Sequence, residues 1–188
     1  MTTLIKGDCL EQMKSIEDNS VDLIFCDLPY GPFRYDLVWC KSSSTGALSS
    51  KRQPLRSHEM LYFFYEKLPF YDLSSHKSKC IDKEITEECD TAYGKIKIKP
   101  PKTAGSRYEP PLPNSLLQIK STRTKHSTEK PVDLMKWILK YYSKENDVIL
   151  DPTMGSGSMG VACKEMNREF IGIEKDDEIF KVAESRIN

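Results

Sequence analysis

The sequence predicts an α/β protein, a sandwich in which helices cover a largely parallel sheet. Three observations point there. The C-terminal stretch from Pro131 alternates helix, strand, loop, helix, strand and helix, the N-terminal stretch reads strand, helix, strand, and a glycine-rich loop, Gly155-Ser-Gly157-Ser-Met-Gly160, joins a strand to a helix. Parallel strands need a crossover, usually a helix, so this alternation belongs to a parallel sheet and not to a set of hairpins.

Taken in order, TTLIKGD is a short apolar run ended by Gly7 and Asp8. In CLEQMKSI the apolar residues Leu10, Met13 and Ile16 recur at helical spacing. VDLIFCDLPYG is β-rich and is stopped by Pro29 and Gly31. PVDLMKWILKYY opens with Pro131 at the first helical position and sets Leu134, Trp137, Ile138 and Tyr141 on one face. DVIL is a strand, DPTMGSGS a tight loop, SMGVACKEM a helix and EFIGIE a second strand. DDEIFKVAESRI is a final helix with acids in its first turn, next to the positive end of the helix dipole. Between residues 41 and 125 the chain is rich in Ser, Pro and Lys, interrupted only by MLYFFYEKLPFY and GKIKIK. It reads as an irregular insertion within a single domain spanning residues 1–188.

Composition excludes some classes and leaves others open. The 28 basic and 28 acidic side chains cancel, so net charge names no partner. Their distribution is uneven. Arg34, Lys41, Lys51, Arg52 and Arg56 face one acid, Asp36, between Gly31 and His58, and nine basic residues face Glu109 and Glu129 between Lys95 and Lys130. Such segments suit a phosphate-facing surface, although solvated loops look the same. The six cysteines form no C-x-x-C pair and have no His at zinc-finger spacing, so neither a disulfide framework nor a metal site is indicated. No apolar run has the length of a signal peptide or a membrane span, which makes a reducing cytoplasm the default expectation.

The loop after Leu150 has the pattern of a nucleoside site. Gly155, Gly157 and Gly160 satisfy G-x-G-x-x-G between strand and helix, and Glu174 ends the following strand. Glycines let backbone pass close under a ligand, and an acid at the next strand tip accepts hydrogen bonds from ribose hydroxyls. Asp151, with Pro152 and Thr153 leading into the loop, narrows the ligand. A carboxylate there repels a pyrophosphate but welcomes the ammonium of S-adenosylmethionine, which carries no phosphate. A nicotinamide-dependent oxidoreductase would rest on the glycine loop alone.

A second motif ends the N-terminal β-rich run: Asp27-Leu28-Pro29-Tyr30. It suits methylation of an aromatic amine, whose lone pair is delocalised into the ring. The Asp27 carboxylate and the Leu28 carbonyl can accept both N–H bonds and draw the nitrogen toward tetrahedral geometry. Pro29 stiffens the turn, and Tyr30 offers a flat face for a base swung out of a duplex.

Together DLPYG, DPTMGSGSMG and FIGIE resemble the amino-methylating DNA methyltransferases, the adenine-N6/cytosine-N4 family. With the catalytic motif first and the cofactor loop near the C-terminus, the order resembles the permuted β class. The resemblance implies a Rossmann-like, S-adenosylmethionine-dependent methyltransferase sandwich with a target-recognition insertion, here residues 41–125. KGDCLEQM is similar to the segment whose acid, here Asp8, lies near the cofactor's adenine. HSTEKPVDLMKWIL is similar to the segment lining its methionine end, which implicates Lys130 and Pro131. The Asp heading the catalytic motif leans toward adenine over cytosine. Double-stranded DNA is the implied substrate, with a cognate restriction endonuclease as a candidate partner. For DNA contact the sequence offers Lys51, Arg52, Arg56 and His58, then Lys120, Arg123 and Lys125.

One departure from the family stands out. Only Gly31, Pro32 and Phe33 separate Tyr30 from RYDLVWC, where relatives carry a helix and the next parallel strand. This apparent internal deletion should bare one edge of the catalytic strand, unless FRYDLVW folds back beside it as an antiparallel neighbour. A relative that binds DNA or cofactor without turnover is the alternative to an active enzyme.

Overall fold

The computed structural model describes residues 1–26, 32–81, 87–91, 94–98, 105–122 and 129–188. They divide into two compact units, one formed by Met1–Asp72 with Asn114–Asn188 and the other by Leu73–Pro113. The second unit is narrower than the 41–125 insertion drawn from composition.

The first unit begins with strand β1 (Thr2–Lys6), the short helix α1 (Cys9–Gln12) and a single 3₁₀ turn over Met13–Ser15. The helix expected through CLEQMKSI is therefore four α-helical residues and a tighter turn. Strand β2 (Leu23–Ile24) is all that forms of the β-rich run VDLIFC. Strands β3 (Phe33–Thr45) and β4 (Arg56–Phe64) follow. The second unit holds β5 (Lys77–Ile81), β6 (Glu87–Thr91), β7 (Gly94–Ile98) and β8 (Gly105–Glu109). The chain then returns to the first unit with β9 (Leu116–Gln118), α2 (Val132–Tyr142), β10 (Val148–Asp151), α3 (Ser158–Glu165), β11 (Glu169–Glu174) and α4 (Asp177–Ile187).

A parallel four-stranded sheet, ordered β1-β11-β10-β2, is the centre of the first unit. Ile149, Phe170 and Ile173 are essentially inaccessible within it. Helix α2 buries Leu134, Met135, Ile138 and Leu139, α3 buries Met159, Ala162 and Cys163, and α4 buries Ala183 and Ile187. Of the face expected for α2, Leu134, Ile138 and Tyr141 are buried and Trp137 is half-buried, and Met135 and Leu139 widen the buried stripe beyond it. Pro131 is the N-cap of α2, with extended backbone (φ −62°, ψ 137°), so the helix starts one residue later than expected. At its other end Arg168 donates to the carbonyls of Leu139 and Ser143, where a cation matches the negative pole of the helix. Asp176 caps α4 by accepting from the N–H groups of Glu178 and Ile179.

The same unit carries a three-stranded sheet, ordered β4-β3-β9. FRYDLVW is not a neighbour of β2. It lies in β3, antiparallel to β4 and parallel to β9. One face of this sheet buries Leu37, Trp39 and Leu117, and its aromatics meet the end of α2. Tyr35 donates to the Tyr142 hydroxyl at 2.8 Å, and Phe63 packs on the Tyr142 ring at 4.7 Å. Among the described residues β2 pairs with β10 alone, and Ile24 is 59 % exposed, so the bare edge expected beside the catalytic strand is present.

In the second unit β5 and β8 pair antiparallel, as do β6 and β7. His76 is buried there, 2.8 Å from the carbonyl of Pro110.

Candidate functional site

Because all four strands of the parallel sheet run the same way, their carboxyl ends share one edge, and that edge is where open α/β sheets bind ligands. β1 delivers Asp8, β11 delivers Glu174, β10 delivers Asp151 and the glycine loop, and β2 delivers Phe25 and Cys26. Three acids predicted from sequence are thus gathered at neighbouring strand ends.

The glycine loop is held from below and open above. Met154 donates its N–H to the Ile173 carbonyl at 3.0 Å, and Gly157 donates to the Met154 carbonyl at 2.9 Å. Gly155 (φ +53°) and Gly157 (φ +81°) occupy the left-handed region, where a Cβ is strained. They differ in surroundings. A Cβ at Gly157 would press on Ile187 and Ala183 of α4, whereas one at Gly155 would meet nothing within 4 Å among the described residues. Gly157 therefore seats the loop on the protein, and Gly155 faces free space.

Each carboxylate is fixed by backbone donors. Glu174 accepts from the Gly155 N–H at 3.0 Å with one oxygen and from the Lys175 and Asp176 N–H groups, both at 2.9 Å, with the other. Asp151 is buried and accepts from the Thr153 N–H at 3.1 Å. Asp8 caps α1 through the Leu10 N–H. The ammonium of Lys175, 3.2 Å from Asp8, holds the Asp8 carboxyl below its usual value, helped by that capping bond. Nearby Cys163 is no nucleophile, since burial pushes its thiol up to about 12.

Pro131 is fully buried. Lys130 is committed to Glu59 of β4 at 3.0 Å, and Glu59 also pairs with Lys41. Burial pushes the Glu59 carboxyl upward, but the two ammonium groups outweigh it and hold the group below its ordinary value. Glu59 was invisible as a site residue in the sequence. Its only signal is an acid beside aromatics in a basic segment, and the partners come from β3 and from the approach to α2.

Of the residues expected at DNA, the described ones lie toward one end of the three-stranded sheet. Lys51, Arg52, Arg56 and His58 are exposed in and after the β3–β4 connection. β9 brings exposed Lys120 alongside, because Cys40 is registered with both His58 and Gln118, and Ser42 and Ser121 exchange hydrogen bonds at 3.1 and 3.3 Å. Two basic segments far apart in sequence thus share a surface. Arg123, Lys125 and the whole Asp27-Leu28-Pro29-Tyr30 motif lie outside the described residues. The strand leading into that motif is nevertheless placed, since the Phe25 N–H donates to the Leu150 carbonyl at 2.8 Å.

Fold and edge together define a Rossmann-like domain of the nucleoside-binding kind. The family model described as DNA methylase, of the N6/N4 type, matches residues 31–185, and the chain belongs to that family. It is similar to the type II methyltransferase M.HinfI of Haemophilus influenzae, at 27 % identity over all of this chain and 68 % of the relative. It is also similar to the DNA adenine methyltransferase YhdJ of Escherichia coli K12, at 26 % identity over 99 % of this chain and 82 % of the relative. Among solved structures, the M1.HpyAVI–SAM complex superposes with a TM-score of 0.65 at 22 % identity, covering all of both chains, a likeness of fold. The M.HinfI alignment runs over 252 positions although this chain has 188 residues, so the relative carries sequence with no counterpart here.

Proposed function

We propose that this chain transfers a methyl group from S-adenosylmethionine to the exocyclic amine of adenine in double-stranded DNA. The observation that carries the proposal is the adjacency of β2 and β10. Strand β2, which precedes Asp27-Leu28-Pro29-Tyr30 in sequence, is hydrogen-bonded to β10, which leads into the glycine loop, and the two run parallel. The residues present suit this cofactor. Gly155 opens onto free space, fixed Glu174 can accept from ribose hydroxyls, and a carboxylate, not a cation, precedes the loop. The names of M.HinfI and YhdJ, and the ligand in the M1.HpyAVI–SAM complex, support the same reading.

When bound, S-adenosylmethionine supplies an electrophilic methyl group on a sulfonium. The chain's own residues do the rest. Asp8 and Glu174 flank the adenosine end, while Asp151, Pro152, Thr153, Gly155, Gly157, Lys130 and Pro131 shape the remainder of the pocket. The Asp27 carboxylate and Leu28 carbonyl accept the two N–H bonds of the target amine, and Tyr30 stacks on the extruded base. Lys51, Arg52, Arg56, His58, Lys120, Arg123 and Lys125 hold phosphates and set the register without reading bases. A restriction endonuclease reading the same sequence would be the functional partner, in the cytoplasm.

The test is transfer of label from S-adenosylmethionine to unmodified duplex DNA, with the product digested to nucleosides. N6-methyladenine is expected, and Asp27→Ala should lower the rate by at least about a hundredfold, the scale of losing one preorganised group at the reacting centre. Full-rate transfer by that variant removes the role given to Asp27, and N4-methylcytosine moves the target to cytosine. The bare edge at Ile24 favours a second reading, a relative that binds DNA and cofactor without turnover. It predicts salt-sensitive DNA binding and no label in the product.

A further inference from the structure

Arg186, in the last turn of α4, reaches the glycine loop and the segment before α2 at the same time. One guanidinium nitrogen donates to the Ser156 carbonyl at 2.7 Å and to the Ser156 hydroxyl at 2.8 Å. The other donates to the Glu129 carboxylate at 2.9 Å. The Glu129 side chain is only 5 % exposed, so its charge depends on a cation at that distance. A planar fork of fixed donors holds both partners in set directions from two nitrogens, an arrangement a single ammonium nitrogen does not reproduce.

The position of Ser156 gives these bonds their meaning. It lies between the two positive-φ glycines, Gly155 and Gly157. Glycine on both sides makes the local backbone the most permissive in the loop, and Ser156 is the residue through which it can be gripped from the side. The Gly155 N–H must stay on Glu174 for that carboxylate to be aimed. We propose that Arg186 is the positioning residue of the cofactor loop, fixing Ser156 so that the open side over Gly155 is formed before the ligand arrives. Glu129 acts through Arg186 by holding the guanidinium in place. The next residue, Lys130, is held by Glu59 of β4, so the Glu129–Lys130 pair is anchored on both sides and cannot drift with the loop. This inference rests on the loop being the S-adenosylmethionine cradle.

The test is calorimetric titration of the purified chain with S-adenosylmethionine, with hydrogen exchange at the amides of residues 155–157 as a second readout. Variants are Arg186→Lys, Arg186→Met, Glu129→Gln and the Arg186→Met/Glu129→Gln pair. Arg186→Lys keeps a positive charge beside Glu129 and should leave the chain folded. Its affinity should fall about tenfold, the scale of one charge-assisted hydrogen bond, and exchange should quicken in the loop but not in β10 or α3. The paired variant should bind no worse than Arg186→Met alone. Wild-type affinity and unchanged loop exchange in folded Arg186→Lys overturn the proposal, as do additive losses in the pair. A wild-type chain that shows no binding overturns the cofactor reading itself, and this inference falls with it.

Discussion

The two sheets of the first unit are held by different means. The four-stranded parallel sheet is buried along its two central strands, β10 and β11, where Ile149, Phe170 and Ile173 see almost no solvent, while its edge strands β1 and β2 are partly exposed. The three-stranded sheet buries one face, with Leu37, Trp39 and Leu117, and leaves Met60, Tyr62 and Leu116 exposed on the other. Their sequences differ accordingly. The strands of the first, VILD and EFIGIE, are near-continuous apolar runs ended by an acid. β4 alternates, its residues turning outward and inward by steps of one from His58 to Phe63. One sheet is fastened by burial, and the other by aromatic contacts and the Lys41–Glu59–Lys130 cluster. The contrast places Asp8, Asp151 and Glu174 at the ends of the more buried sheet and the exposed basic residues on the less buried one.

The contrast can be broken at its strongest point. Ile149→Ala should cost about 2–5 kcal/mol in urea unfolding, whereas Leu116→Ser, on the exposed face, should stay within about 0.5 kcal/mol. Equal costs would mean the second sheet is as fully covered as the first. The margin of the parallel sheet comes next. Asp22 accepts from the Val148 N–H at 2.8 Å and returns its own N–H to the Val148 carbonyl at 2.9 Å, clasping the start of β2 to β10. Removing the carboxylate in Asp22→Ala should cost about 1 kcal/mol.

Acid should act on the second sheet through Glu59. Its folded-state carboxyl lies below the ordinary value, so its contribution is complete above the unfolded value of about 4.3 and fades as pH falls through the folded one. Glu59→Gln should therefore flatten the acid limb of a stability-versus-pH curve below about pH 4, and an unchanged limb would show the cluster to be immaterial. The smallest effect belongs to Ser158. Its hydroxyl is buried and has no hydrogen-bond partner among the described residues, so Ser158→Ala should raise stability by up to about 1 kcal/mol in the same unfolding experiment.

What could be read in the sequence follows the same division. β10, α3, β11 and α4 were legible because each declares itself locally, through an apolar run, two glycines or a capping Asp176. The acids Asp151 and Glu174 were legible in the same way, since each ends a strand, whereas Asp8 was indicated only by the resemblance of KGDCLEQM. VDLIFC is as apolar as VILD, yet only Leu23 and Ile24 form β2, because a strand lacking one neighbour keeps only the pairing that neighbour would have extended. The place of FRYDLVW depended on β9, a three-residue strand that follows the second unit in sequence. Glu59 and Arg186 escaped notice for the same reason, since their partners are brought near only by the tertiary fold.

The order of the parallel sheet also bears on how the protein is made. β1 pairs with β11 and β2 with β10, so β1 and β2 leave the ribosome long before the strands they pair with. Through that interval Leu4, Ile5, Leu23 and Ile24 have no native strand beside them. Late closure of this kind lengthens the search for the native state and prolongs exposure of sticky segments. Nascent chains stalled ahead of β10 should accordingly lean on chaperones, a burden that a sheet of hairpins would not impose.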